Sequence, residues 1–350
     1  MLYKTNNPHG GDIYDKTIRL DYSANINPLG TPQGIREAIV EALPVMYQYP
    51  DPYCRELVKA ISEFEGVSED YIFCGNGATE LIYAYCEAVK PNLTVETAPT
   101  FSEYSLALER VGCRVERYLL DKNTRFVLDE DFLEYIEYKK PEVIFLCNPN
   151  NPTGRLISFS LLEKILKYCS ENNIRLFIDE CFLDLSDCGI SMKSYIAEYP
   201  HIFILKAFTK SYGMAGLRLG YCMTSDSELL MQMSQIIQPW NVSSVAQAAG
   251  IAALMEQEFL NNTKKLIVSE CQWLKENLEK MGFWVCPSQV NYLLLHGLTD
   301  LDKELKKYGI VIRNCNNFYG LSDGWYRIAV RQREENEILI NTIKSICEKR

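Results

Sequence analysis

A few short stretches hold residues whose types and spacing ask for a chemical reason. The apolar run 202–205 leads into Thr209-Lys210, and a Gly-punctuated loop with Arg218 follows. A lysine in a dry pocket can shed its proton and attack carbonyl carbon. The alternative is a solvated lysine just past a strand end. The run 175–178 drives two carboxylates, Asp179 and Glu180, to its carboxyl end, and 142–147 stops abruptly at Asn148-Pro149-Asn150-Asn151-Pro152-Thr153-Gly154. Between 71 and 80, Gly75-Asn76-Gly77-Ala78-Thr79-Glu80 joins an apolar run to a helical pattern. Glycines at such a junction let backbone N–H groups point outward from the positive end of a helix, which suits an anion and most naturally a phosphate. The same turn can also cap a helix with no ligand at all.

The elements that must position these residues follow from periodicity. Apolar or alternating runs predict strands at 71–74, 93–98, 114–120, 142–147, 175–180 and 202–205, with an edge strand at 18–22. Helical patterns fall at 33–43, 55–64, 78–89, beyond 99–104 and at 158–171. Strands separated by helices pair in parallel, and parallel sheets place ligands at the carboxyl ends of their strands. Asn151, Asp179 and Lys210 all lie at such ends. The segment Tyr47-Gln48-Tyr49-Pro50-Asp51-Pro52 cannot be helical, because each residue before a proline is pushed toward extended geometry. Past Gln238-Pro239-Trp240 the alternation ends. Long helices over 243–282, strands at 287–295, 309–312 and 325–330, and an amphipathic helix at 334–347 predict a second, smaller α+β domain.

A lysine, an aspartate, an asparagine and a phosphate-type turn on successive strand ends match pyridoxal 5'-phosphate. That cofactor has an aldehyde, a pyridine nitrogen, a phenolic oxygen and a phosphate. Lys210 would condense with the aldehyde, and Asp179 would pair with the ring nitrogen and keep it positive. Asn151 would bond the phenolic oxygen. Backbone N–H groups of Gly77 and Ala78, with Thr209 and Arg218, would hold the phosphate. Tyr104, at a helix start, would lie against the ring face.

With Asp179-Glu180, Thr209-Lys210, Arg218 and the Asn148-to-Gly154 turn in this order, the chain resembles the class I/II pyridoxal-phosphate aminotransferase superfamily over nearly its whole length. The resemblance implies an α/β, fold-type-I transferase with a mainly parallel seven-stranded sheet. The large domain would span 45–245, and the small α+β domain would be built from both chain ends, 1–44 and 246–350. It also implies a homodimer in which Tyr49 reaches the neighbouring subunit's cofactor phosphate. Within the superfamily the pattern is similar to histidinol-phosphate aminotransferases. However, His9-Gly10-Gly11, the stretch Asp21-Tyr22-Ser23-Ala24-Asn25-Ile26-Asn27-Pro28-Leu29-Gly30, and the segments around Arg313, Arg327 and Arg331 resemble the threonine-phosphate decarboxylases of cobalamin synthesis. Aminotransferases usually place a tyrosine three residues after the ring aspartate, whereas here that residue is Phe182, as in the decarboxylase-like group. Ala207 departs from the Ser or Thr common among relatives. The resemblance makes Arg327 the arginine that binds the substrate carboxylate. His9, Asn27, Asn151, Arg313 and Arg331 are the further substrate candidates; the structural alternatives are that His9 packs the N-terminal arm and that Arg331 pairs with Glu334 or Glu335.

Bulk properties exclude other classes. Net charge is −10, from 46 acidic and 36 basic residues, and no basic run interrupts it, so nucleic-acid and anionic-membrane partners are not expected. The thirteen cysteines are scattered without CxxC spacing, which suits reduced thiols and gives no metal site. The first eleven residues lack an apolar signal core and no run approaches eighteen apolar residues, so a soluble cytoplasmic enzyme is expected.

Overall fold

The computed structural model describes residues 9–349. In chain order the elements are β1 (Leu20–Asp21), α1 (Gln33–Ala42), α2 (Arg55–Glu65), β2 (Ile72–Gly75), α3 (Ala78–Val89), β3 (Leu93–Ala98), α4 (Glu103–Arg110), β4 (Arg114–Leu119), α5 (Asp131–Lys139), β5 (Val143–Cys147), α6 (Phe159–Glu171), β6 (Arg175–Asp179) and β7 (Ile202–Ala207). There follow α7 (Phe208–Ser211), β8 (Gly220–Met223), α8 (Ser227–Ile236), α9 (Ser244–Leu254), α10 (Gln257–Lys280), β9 (Trp284–Val285), β10 (Tyr292–His296), α11 (Leu301–Lys306), β11 (Ile310–Val311), β12 (Arg313–Asn314), β13 (Trp325–Ala329) and α12 (Arg333–Glu348).

Seven strands form the main sheet in the order β2-β8-β7-β6-β5-β3-β4. All its pairs are parallel except the two that β8 makes, with β2 and β7, which are antiparallel. The sequence pattern places the residues of β8 inside the loop after Lys210. Its four residues are too few to show a period.

Strand alternation decides which chemistry goes to which face. Phe145, Phe177 and Phe203 stack side by side, with ring centroids 4.3 and 4.9 Å apart, and Tyr85 of α3 packs against all three. Residues two further along a strand share that face. Hence Cys147, Asp179 and Leu205 stand beyond the phenyl rings, at the carboxyl ends of β5, β6 and β7, with Cys147 opposite Asp179 and Asp179 opposite Leu205. The intervening positions, Glu180 and Lys206 among them, turn to the opposite face, where α2 supplies Glu65.

The remaining strands make a four-stranded antiparallel sheet, β12-β13-β10-β9, and a parallel pair, β1-β11. Leu274 and Leu278 of α10 and Leu339 and Ile343 of α12 share a separate apolar core with Leu293 and Ile328 of this second unit. Ile35 of α1 and Ala246, Ala249 and Ala253 of α9 belong to the apolar cluster of the large unit, together with Leu57 of α2. Leu20 of β1 and residues of α10 to α12 pack around the second apolar cluster. No described helix is long and apolar enough to cross a membrane. Among the described residues no disulfide forms and no cluster suits a metal ion.

Candidate active site

A cavity of about 490 Å³ lies at the carboxyl ends of β5 to β7, between the main sheet and the second unit. Lys210 reaches it from α7, the single helical turn that follows β7 directly. Burial, followed by the positive charges of Arg327 and Arg218, brings its ammonium down to about 8. A good share of this amine is therefore neutral in mildly alkaline solution; the opposing pull of Cys181 and Asp21 is outweighed.

Asp179 is buried in the cavity wall. Its Oδ1 accepts the Cys181 backbone N–H at 2.8 Å and its Oδ2 accepts the Tyr104 hydroxyl at 2.5 Å. Burial raises its pKa against the pull of these bonds. A carboxylate in that setting is completed by a cationic N–H donor from a ligand. Tyr104 is thus spent on orienting Asp179 and is fully buried, so the expected stacking role does not fall to it. Phe101, three residues earlier, lines the cavity in its place. A β-strand followed by a helix start does not reveal in sequence which of two aromatics faces inward.

The turn before α3 borders the cavity, with one change of role. The Gly77 N–H is used internally, donating to the Gly75 carbonyl at 2.8 Å. Ala78 and Thr79, the first residues of α3, both line the cavity and have N–H groups with no partner inside the helix. Gly77 supplies space instead: its φ is +82° and a Cβ there would lie 2.6 Å from Arg218 Nη2. Thr209 and Arg218 complete the wall, and Ala207 lines it without a hydroxyl. Gly77→Ala is expected to weaken uptake of pyridoxal phosphate by cofactor-stripped protein roughly tenfold, from about 1–2 kcal/mol of left-handed strain and from the displaced guanidinium. An unchanged dissociation constant would show that the cradle tolerates the methyl group.

Opposite the cradle, Arg327 of β13 is buried. Its Nη2 donates to the Ser23 carbonyl at 2.8 Å and its Nη1 to Asn151 Oδ1, while Nε is buried with no partner. Arg313 stands directly across the ladder from Arg327 and also lines the cavity. Two guanidinium groups on adjacent strands repel each other, so the pair calls for an anionic ligand. His9 and Asn151 join this wall, and Phe182 lies on it with its ring edge-on to Tyr292.

Three sequence candidates lie elsewhere. Asn27 is spent on structure: its Nδ2 donates to the Ser211 carbonyl and to Thr263 Oγ1, and its Oδ1 accepts Leu29 N–H. Asn25, two residues earlier, lines the cavity, and its Oδ1 is buried without a partner. Arg331 pairs with Glu335 at 2.8 Å, the structural alternative, and does not line the cavity. Tyr49 is 79 % exposed and stacks on Trp240 with centroids 4.6 Å apart, outside the cavity of its own chain.

The main sheet, the lysine beyond β7 and the carboxylate closing β6 define a pyridoxal-phosphate enzyme of the α/β class. The chain belongs to the aminotransferase class I and II family, which it matches over residues 17–343. It is 33% identical to a threonine-phosphate decarboxylase of Salmonella typhimurium, with 97% of each chain covered. It is 29% identical to a histidinol-phosphate aminotransferase of Methanococcus aeolicus over 95% of this chain and 90% of that one. The crystal structure of a histidinol-phosphate aminotransferase from Clostridium acetobutylicum superposes with a TM-score of 0.88 at 30% identity, covering 95% of this chain and all of that one. The cofactor is pyridoxal 5'-phosphate, and the residues present fit it: a lysine whose pKa burial lowers, a carboxylate whose pKa burial raises, and a glycine turn where a Cβ would meet Arg218.

Proposed function

We propose that the protein decarboxylates O-phospho-L-threonine to (R)-1-amino-2-propanol O-phosphate, as in cobalamin synthesis. The observation that carries this reading is the cross-strand pair Arg313 and Arg327, which offers a substrate two anion sites on one cavity wall. Arg327, with its unpartnered Nε, would take the carboxylate, and Arg313 with His9 would take the phosphate. When bound, the cofactor supplies an electron sink for the bond that breaks at Cα. Asp179 would hold a proton on the ring nitrogen, and Asn151 would bond the phenolic oxygen. Arg327 would orient the carboxylate, and Lys210 Nζ would return a proton to Cα. Phe182 supports the reading, because no hydroxyl at that position competes for the phenolic oxygen. Two copies of the chain would form the working enzyme, with the exposed Tyr49 of each reaching the phosphate cradle of the other.

A histidinol-phosphate aminotransferase is the second reading, favoured by relatives at similar identity. Purified protein incubated with O-phospho-L-threonine alone should release CO₂ and form aminopropanol phosphate. If glutamate forms from histidinol phosphate and 2-oxoglutarate while phosphothreonine yields no CO₂, the second reading replaces the first.

A further inference from the structure

His9 and Gly10 line the cavity and are held there by a bridge that the chemistry above does not use. On one side the arm lies backbone to backbone on the second unit. A Cβ on Gly10 would fall 2.3 Å from the Ser23 carbonyl oxygen, and the Gly11 N–H donates to Ser23 Oγ at 2.8 Å. That same Ser23 carbonyl accepts Arg327 Nη2. On the other side His9 Nε2 meets Glu103 Oε1 at 2.7 Å, in the first turn of α4 on the large unit, and the rings of His9 and Phe101 are 5.9 Å apart. The far oxygen of Glu103 accepts the Tyr83 hydroxyl of α3 at 2.9 Å, and Arg110 lies over the Tyr83 ring. The His9 bond outweighs burial and, with Tyr83 and Arg110, holds Glu103 below the usual carboxylate range. An ionised carboxylate only accepts, so Nε2 is the nitrogen that carries hydrogen. Glu103 and His9 both line the cavity that also holds Arg313.

We propose that Glu103, braced by Tyr83, is a positioning residue that latches the N-terminal arm across the cavity and sets His9 beside the substrate's distal phosphate. A carboxylate on a wall meant for an anion would otherwise repel it. Paired to His9 it presents a hydrogen-bonded ring in place of a bare charge, and it ties the arm to both units at once. The inference rests on the phosphorylated-substrate reading but not on the reaction class, since O-phosphothreonine and histidinol phosphate both carry the monoester.

The test is a double-mutant cycle on the holoenzyme, read as binding through the change in cofactor absorbance and as KM and kcat for whichever substrate turns over. Glu103→Gln should raise the dissociation constant and KM for the phosphorylated substrate roughly tenfold, the worth of one charge-assisted hydrogen bond, and leave kcat within about twofold. Tyr83→Phe should act in the same direction and more weakly. Added to His9→Asn, Glu103→Gln should cost nothing further, and binding of unphosphorylated L-threonine should not respond to it. The latch is refuted if the two substitutions add independently, if kcat falls with KM unchanged, or if threonine and phosphothreonine lose affinity alike. If phosphothreonine binds with the expected coupling but releases no CO₂, the reaction assignment fails and the latch stands.

Discussion

Lys210→Ala is expected to lower turnover by about 10⁴-fold or more, because it removes both the amine that anchors the cofactor and the general acid–base at Cα. The variant should still fold and should still take up pyridoxal phosphate, since the cradle at α3, Thr209 and Arg218 are untouched. Its bound cofactor should lose the visible absorbance of the protein-linked form. A variant retaining more than about a hundredth of wild-type turnover would remove Lys210 from the chemistry. The wild-type residue carries a second signature. Burial first, then Arg327 and Arg218, hold the Lys210 ammonium near 8. Below that pH the neutral fraction falls about tenfold per unit, and above it the fraction levels off. The rate at which cofactor-stripped protein captures added cofactor should therefore rise to about pH 8 and then flatten. A solvated lysine, near 10.4, would keep gaining to about pH 10. A continuous climb would mean that the pocket does not depress this group.

What the sequence made legible follows from where periodicity operates. The strand at 143–147 was readable because fully buried parallel strands are near-continuous apolar runs. Once the sheet was inferred, the carboxyl-end rule placed Asp179, Asn151 and Lys210 together. The misses fall where no period exists. Asn25 and Asn27 sit in one turn, and which amide faces the cavity is decided by Ser211 and Thr263, partners far along the chain. Tyr104 and Phe101 were exchanged for the same reason, since the hydroxyl that marks Tyr104 serves Asp179 from beneath. Glu103 and Lys206 gave no signal at all. Glu103 stands one residue before Tyr104 in a helical pattern, where acidic residues are common in the first turn. Lys206 lies one residue past the apolar run 202–205, where nothing in the sequence marks the carboxylates that hold it.

Lys206 is the counterpart of Lys210, and replacing it should cost stability in place of catalysis. Strand alternation sends it to the opposite face, where Nζ lies 2.8 Å from both Glu65 Oε1 and Asp184 Oδ1. Burial would lower its pKa, but Asp184, Glu65 and Glu180 outweigh burial and raise it. Its charge is thus held more firmly than that of Lys210, whose pKa burial brings down. Glu65 shows the reciprocal effect: burial pushes its pKa up, but Lys206, Lys193 and Tyr221 bring it down to about 2, from an ordinary 4.5. Its folded pKa is depressed, so the stabilisation is fully present above about pH 4.5 and is lost as pH falls toward 2. The linkage is on the order of 3 kcal/mol. Lys206→Met keeps the apolar stem and strands buried carboxylates, which typically costs about 3–5 kcal/mol. The holoenzyme variant should show a lower urea midpoint at pH 7, with cofactor absorbance intact below the transition. With the ammonium gone, burial governs Glu65 and its pKa moves up. Acid then relieves the variant by protonating the stranded carboxyl, while the wild type keeps its Glu65 linkage down to about pH 4.5. The gap between the two midpoints should accordingly narrow from pH 7 to pH 4.5. A gap that stays constant over that range would mean that Lys206 acts by packing and not by charge. A midpoint unchanged at pH 7 would mean that the buried cluster contributes nothing net to the fold.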